Sequence, residues 1–293
     1  EAAVLRRLTE AGVPGADPGE WYGLREWSTT EPLEDLDADG ARVRVSPSTI
    51  EKIEKSPLSW FVDQFAPAPP SDAQATGTIV HAALEHLGDR DEVTVNDFVA
   101  EVLPQLEALP LPADWMREQR ERQVRTMLTR LCQYLESSRA KGRRFVAAEA
   151  PFRLEFGPVV LSGVIDRVER DTDGALYVVD LKTSKYPVSK QDAAVSAQLE
   201  CYQLAIHEGA IEGVESAPSA GAALLYVRSA TQTPTLRTQD PLGSERAEEV
   251  RARVLAAAER MSDAAFADFD DIDENGIAGA RRYRIQVVPG VSA

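Results

Sequence analysis

Cysteine is scarce, with Cys132 and Cys201 alone among 293 residues. Two thiols cannot build a disulfide framework, an all-cysteine zinc site or a cluster needing four thiolates, so both are expected as reduced core thiols. Long apolar runs are missing too. No stretch approaches the roughly 18 apolar residues of a membrane-spanning helix, and Glu1 to Leu8 lacks the apolar centre of a secretory signal. No membrane association is expected, and the cytoplasm is the expected location. There is no Gly-x-x-x-x-Gly-Lys-Ser/Thr loop, which excludes an ATP-driven motor acting by itself. Positive charge is in deficit, with 32 Lys and Arg against 48 Asp and Glu and a net charge of −16. That balance disfavours holding nucleic acid by bulk electrostatics. It remains compatible with an enzyme whose carboxylates gather cations, or with a module delivered to nucleic acid by a more basic partner. Two local basic stretches stand out, five arginines within Arg117 to Arg130 and the run Lys141-Gly142-Arg143-Arg144. Each reads first as a solvated face.

What is present suffices for a substantial core, at 43% hydrophobic and 27% charged residues. The chain begins at Glu1, so it is expected to be part of something longer, with residues 1–45 as a connector punctuated by Gly12, Pro14, Gly15, Pro18 and Gly19. A helix is predicted from Ser46, whose hydroxyl can cap it and whose Ile50, Ile53, Leu58 and Phe61 suit one buried side. Further helices are predicted at about Gly77 to Leu87 and Asp114 to Ala140. From residue 145 the pattern turns to strand, with β-rich runs at 145–156, Val159 to Glu169 and Leu176 to Lys182. A buried helix over Ala193 to Glu208, a strand over Ala222 to Val227 and an amphipathic helix over Ser244 to Met261 follow. The expected fold is α/β with α+β features: a small central mixed sheet containing a β-hairpin, flanked by helices, behind a helical N-terminal lead-in.

The hairpin permits a register argument. Its Asp173-Gly174 turn makes residues whose numbers sum to about 346 face one another, which sets Asp166 opposite Asp180. Strand alternation adds Lys182 to the same face. Two adjacent carboxylates and an ammonium suit a hard divalent cation with a lysine beside its water. A cross-strand salt bridge at a sheet edge would use the same residues, and spacing alone leaves both readings open. His81 and Glu85 lie one helical turn apart beyond Gly77, and Gln198 and Tyr202 share that spacing on the later helix.

The order of these pieces resembles the PD-(D/E)XK nuclease superfamily, and within it the RecB-like branch, from about Val45 to Met261. The resemblance is carried by Ser46 to Ile50, Gly77 to His81, Glu149, Gly163 to Arg167, Asp180-Leu181-Lys182-Thr183 and Gln198 to Tyr202. It implies a restriction-endonuclease-like core spanning residues 46–269 and a C-terminal tail at 270–293. It also implies Mg²⁺ or Mn²⁺ ligated by His81, Asp166 and Asp180, with the Leu181 carbonyl as a further oxygen. Lys182 would orient water or stabilise the phosphate, Glu149 would act near the metal or its water, and Gln198 and Tyr202 would support the lysine and a DNA phosphate. Relatives with a [4Fe–4S] cluster carry four cysteines; Ser56 stands where the first would be, and no cluster is expected here. Residues Glu10 to Pro18 and Ser28 to Leu33 resemble the joint between motor and nuclease in AdnA- and AdnB-type helicase–nuclease subunits. That implies DNA as substrate, a helicase motor in the same polypeptide and a second helicase–nuclease subunit as partner. A nuclease-like clamp that binds DNA without efficient cutting is the alternative. Decayed copies lose an acid or the lysine, and this chain keeps all three.

Overall fold

A computed structural model describes residues 2–20, 29–67, 72–90, 92–109 and 113–266. The expected tail at 270–293 lies outside these residues, as does Ser28.

Ser46 accepts a hydrogen bond from the Thr49 amide and starts helix α2, Pro47–Lys55, following a short N-terminal helix α1, Ala2–Glu10. The single helix expected here stops at Ser56, because Pro57 has no amide hydrogen to continue the ladder. The Ser56 hydroxyl then accepts from Ser59 to open α3, Pro57–Phe65. Helix α4, Asp72–Leu87, begins five residues earlier than expected. Helix α5, Val95–Glu107, went unforeseen; a reciprocal Thr94–Asp97 cap starts it and Phe98, Val102 and Leu106 bury one face. Helix α6, Asp114–Ala140, keeps its expected bounds. The later buried helix breaks at Val195–Ser196 into α7, Lys190–Ala194, and α8, Ala197–His207, and α9 spans Ser244–Ser262.

Six strands form one mixed sheet: β1 Val43–Val45, β2 Arg144–Phe156, β3 Val159–Arg170, β4 Leu176–Lys182, β5 Ser219–Tyr226 and the unforeseen β6 Thr235–Gln239. The sheet therefore begins at Val43, and all three residues of β1 fall within the expected connector. Antiparallel β2 takes one edge of β3 along its whole length. The other edge is shared, with β1 parallel to Val159–Leu161 and β4 antiparallel to Arg167–Arg170. Residues 162–166 face an opening between them. Helix α2 enters that opening, where a β-carbon on Gly163 would lie 3.1 Å from the Pro47 ring.

Alternation along the central strands divides the core into two layers. Leu176, Val178, Ala222 and Leu224 pack with α2, α8 and α9 on one face. Tyr177, Val179, Leu181, Ala223 and Leu225 pack with α4, α5 and α6 on the other. The sheet is thus sandwiched between helices, the expected fold class. Among the described residues, no helix is long and apolar enough to cross a membrane.

Candidate active site

The β3–β4 ladder has the register expected from its turn, running from Arg170 opposite Leu176 to Arg167 opposite Val179. The next pair is Asp166 and Asp180, and there the backbone ladder ends. The Leu181 amide donates to Asp166 Oδ2 at 2.6 Å, so a side chain replaces the missing backbone partner. The strands consequently part at the two acids.

Helix α4 approaches this opening closely. A β-carbon on Gly77 would lie 2.9 Å from Thr183 Oγ1, just beyond Lys182, so a larger residue would push the helix away. One turn further, His81 Nδ1 sits 3.4 Å from Asp166 Oδ2. Glu149 joins from β2. Donor atoms of His81, Glu149 and Asp166 all lie within 4.8 Å of one another, a grouping that could hold a metal ion. Glu149 has φ of +44°, the only positive value outside glycine among the described residues. Left-handed backbone on a non-glycine residue costs roughly 1–3 kcal/mol and persists where its surroundings enforce it.

Asp180 is 2% exposed and faces α8. Its Oδ1 accepts from Gln198 Nε2 at 2.9 Å and from the Tyr202 hydroxyl at 3.3 Å. Its Oδ2 forms an ion pair with Lys182 Nζ at 2.8 Å, yet lacks a well-angled hydrogen bond. Lys182 also donates to Gln198 Oε1 at 2.7 Å, and Gln198 donates to the Tyr202 hydroxyl at 2.9 Å. Helix α8 is itself fixed by Glu51, which accepts from the Ser196 hydroxyl at 2.7 Å and the Gln198 amide at 3.2 Å. Glu51 escaped the sequence reading because its contact bridges two helices distant in the chain.

All seven expected site residues thus converge, in two linked halves. His81, Glu149 and Asp166 make the compact donor group, while Asp180 is turned toward Lys182, Gln198 and Tyr202. Burial pushes the Asp180 carboxyl up to about 6 against the opposing pull of Lys182, and the charge of Asp166 adds to the rise. Burial and then the Asp166 charge raise Glu149. Burial acts to lower His81, but the hydrogen bond and charge of Asp166 outweigh it and leave the imidazole above its ordinary value. Lys182 ends above its ordinary value likewise, burial being outweighed by Asp180. Three carboxylates against one ammonium is an excess that a cation would relieve, and the poorly satisfied Oδ2 of Asp180 is a spare donor. The residues present therefore fit a hard divalent metal with oxygen and imidazole ligands. A cleft of about 540 Å³ reaches Lys182 and Gln198, with Tyr186 and Arg253 also on its walls.

The five arginines from Arg117 to Arg130 are engaged within the fold instead, Arg120 by donating to the Thr76 hydroxyl. Arg117 donates to the Leu106 and Glu107 carbonyls, Arg125 to Asn96, and Arg130 to the Val227 carbonyl at 2.9 Å, while Arg122 pairs with Glu118.

Comparison with known proteins agrees with this geometry. Residues 44–274 match the PD-(D/E)XK nuclease superfamily. The chain belongs to that superfamily. Its members are metal-dependent nucleases, which accords with the donor group at His81, Glu149 and Asp166. No curated protein matches. Among solved structures, a candidate exonuclease from Eubacterium rectale is 11% identical with a TM-score of 0.47, the alignment covering 87% of this chain and 92% of that one. A protein called SSO0001 is 15% identical with a TM-score of 0.28, over 62% of this chain and 85% of the other.

Proposed function

We propose that this chain hydrolyses phosphodiester bonds in DNA with Mg²⁺ or Mn²⁺ held by His81, Glu149 and Asp166, and with Asp180 contributing its spare oxygen. The observation that carries this reading is the surplus of acid where β3 and β4 part, with Glu149 and Asp166 grouped at His81 and Asp180 paired to Lys182 beside them. A bound divalent cation supplies Lewis-acid stabilisation and a water of lowered pKa. Lys182 is kept charged by Asp180 and aimed by Gln198, so it can orient the attacking water or meet charge developing on the phosphate. Glu149 belongs to the same donor group, and its second carboxylate oxygen can take a proton from that water. Tyr202 and Gln198 hold the Asp180 carboxylate in place.

The finer reading is a nuclease module of a helicase–nuclease subunit of the AdnA and AdnB type, acting on single-stranded or duplex DNA ends during resection and recombinational repair in the cytoplasm. It is supported by the resemblance of Glu10 to Pro18 and Ser28 to Leu33 to the joint between motor and nuclease in such subunits. Its partners would be a motor in the same polypeptide and a second such subunit. Little base preference is expected, because no base-reading motif is visible.

The test is incubation of the chain with linear single- and double-stranded DNA in Mg²⁺, Mn²⁺ or EDTA. Metal-dependent shortening of either substrate, absent in EDTA, is expected. Intact DNA in both metals, with folded protein, would overturn the reading.

A further inference from the structure

At the opposite end of α4 from Gly77, a cavity of about 680 Å³ is lined by Arg90, Arg139, Arg143, Arg144 and Arg167, with Asp89 the one acid lining it among the described residues. Guanidinium groups repel one another, and a chain with 48 acids and 32 bases has ample carboxylate to neutralise them. Only Arg167, at the floor, is paired that way, through Glu169 at 2.6 Å. Arg139 donates instead to the Arg90 carbonyl at 3.0 Å, and Arg143 lies 3.6 Å over the Tyr177 ring. Among the described residues no ion pair occupies Arg90, Arg139, Arg143 or Arg144. Arg143 and Arg144 of the basic run therefore contribute to a concave basic site with Arg90, Arg139 and Arg167.

Resting on the nuclease reading above, we infer that this pocket binds a backbone phosphate of the nucleic-acid strand that is cut at Asp166 and Asp180. Guanidinium forks suit phosphate oxygens, and an anion would relieve the repulsion. Position supports the choice of a strand over a free anion. Strand β2 connects the two sites directly, from Arg144 at the pocket to Glu149 in the donor group, about 16 Å at strand rise. Helix α4 connects them again, from His81 to Gly88, about 10 Å along its axis. Either separation corresponds to a few nucleotides of a strand. The pocket would thus position the strand and offset the repulsion of a chain whose net charge is −16.

The test uses the full chain and the variant R90A/R144A, two exposed residues outside the metal site, with R143Q as a second variant and thermal unfolding to confirm that each is folded. Binding of a fluorescent single-stranded 20-mer is followed by anisotropy in EDTA across a salt series, and cleavage is followed separately in Mn²⁺. The expected result is roughly tenfold weaker binding in the double variant, with a salt slope shallower by about 1.4 for two lost contacts. In Mn²⁺ the KM for DNA should rise by a similar factor while kcat at saturation stays near that of the wild type. Equal affinity and salt slope in wild type and both variants would overturn the inference, as would wild type that binds no DNA. Stabilisation of the wild type but not the variants by inorganic phosphate, with unchanged DNA binding, would make this a free-anion pocket and equally overturn it. Arginine-dependent binding by a wild type that cuts nothing in Mg²⁺ or Mn²⁺ would support the pocket while sinking the nuclease reading.

Discussion

Along β3, Arg167 and Glu169 neutralise each other, whereas one residue further along Asp166 joins Glu149 at His81 while Asp180 across the ladder pairs with Lys182, three acids in all. The first cluster is satisfied throughout. Glu169, 1% exposed, accepts from Arg167 at 2.6 Å, Ser138 at 2.6 Å and Tyr134 at 2.9 Å, and Arg167 also donates to the Gly88 carbonyl at 2.6 Å. The second carries surplus negative charge, a carboxylate oxygen without a well-angled partner and a strained backbone at Glu149. Burial of charge alone therefore does not mark a site, since Glu169 and Arg167 are the more deeply buried and Asp180 alone of the second cluster matches them. Imbalance beside a cleft does.

The contrast can be broken at either cluster. Asp180→Ala is expected to abolish metal-dependent cleavage while leaving a folded protein, because it removes the acid that holds Lys182 beside the donor group rather than an apolar packing residue; undiminished cleavage by a clean preparation would defeat the assignment. Glu169→Ala should do the reverse. It strands a buried guanidinium and should destabilise by about 3–5 kcal/mol, with activity per folded molecule near normal, as denaturant titration alongside an assay would show.

Smaller changes sharpen the picture. Glu149→Gly relieves both the left-handed backbone and a like charge, so the metal-free protein should gain about 1 kcal/mol even as cleavage falls. A loss of stability would mean that Glu149 is held by contacts rather than imposed by the site. His81→Ala should cost roughly 1 kcal/mol in the metal-free protein and shrink the stabilisation conferred by Mn²⁺, with high Mn²⁺ restoring part of the activity. Ordinary metal-induced stabilisation and turnover would remove His81 from the site.

The pH response has a defined sign. His81 is held above its ordinary 6.5, so its protonated form contributes stability to the metal-free protein below that pH, and the contribution is lost as pH rises through the folded value. Asp180, pushed up to about 6, adds an unfavourable contribution that is complete only above that pH. Metal takes deprotonated ligands and reverses both. The rise in Tm produced by Mn²⁺ should therefore be small at about pH 5.5 and grow toward pH 7.5; a rise independent of pH would argue against these groups as ligands.

Much of this was legible where local rules govern. The Asp173-Gly174 turn fixed the register of Asp166 and Asp180, and Ser46 with Pro47 marked a helix start. Helix α5 was missed although Thr94 and Asp97 form a capping pair in the sequence and Phe98, Val102 and Leu106 recur at helical spacing; Pro104 lies inside it. Strand β6 was missed because Thr235 to Gln239 is polar and gains its place only by pairing with β5. The partition of Glu149 toward His81 and of Asp180 toward Lys182 depends on where two strands part, which no spacing encodes. The arginine pocket joins the legible run Arg143-Arg144 to Arg90 and Arg167 from distant segments, a convergence that no local pattern shows.

The central claim is that the unbalanced acids bind a metal and the balanced pair does not. Calorimetric titration of Mn²⁺ into the wild type and into the Glu149→Gln/Asp166→Asn variant tests it directly. The account predicts saturable binding in the wild type at neutral pH that disappears in the folded variant. Equal binding by the two proteins would contradict it.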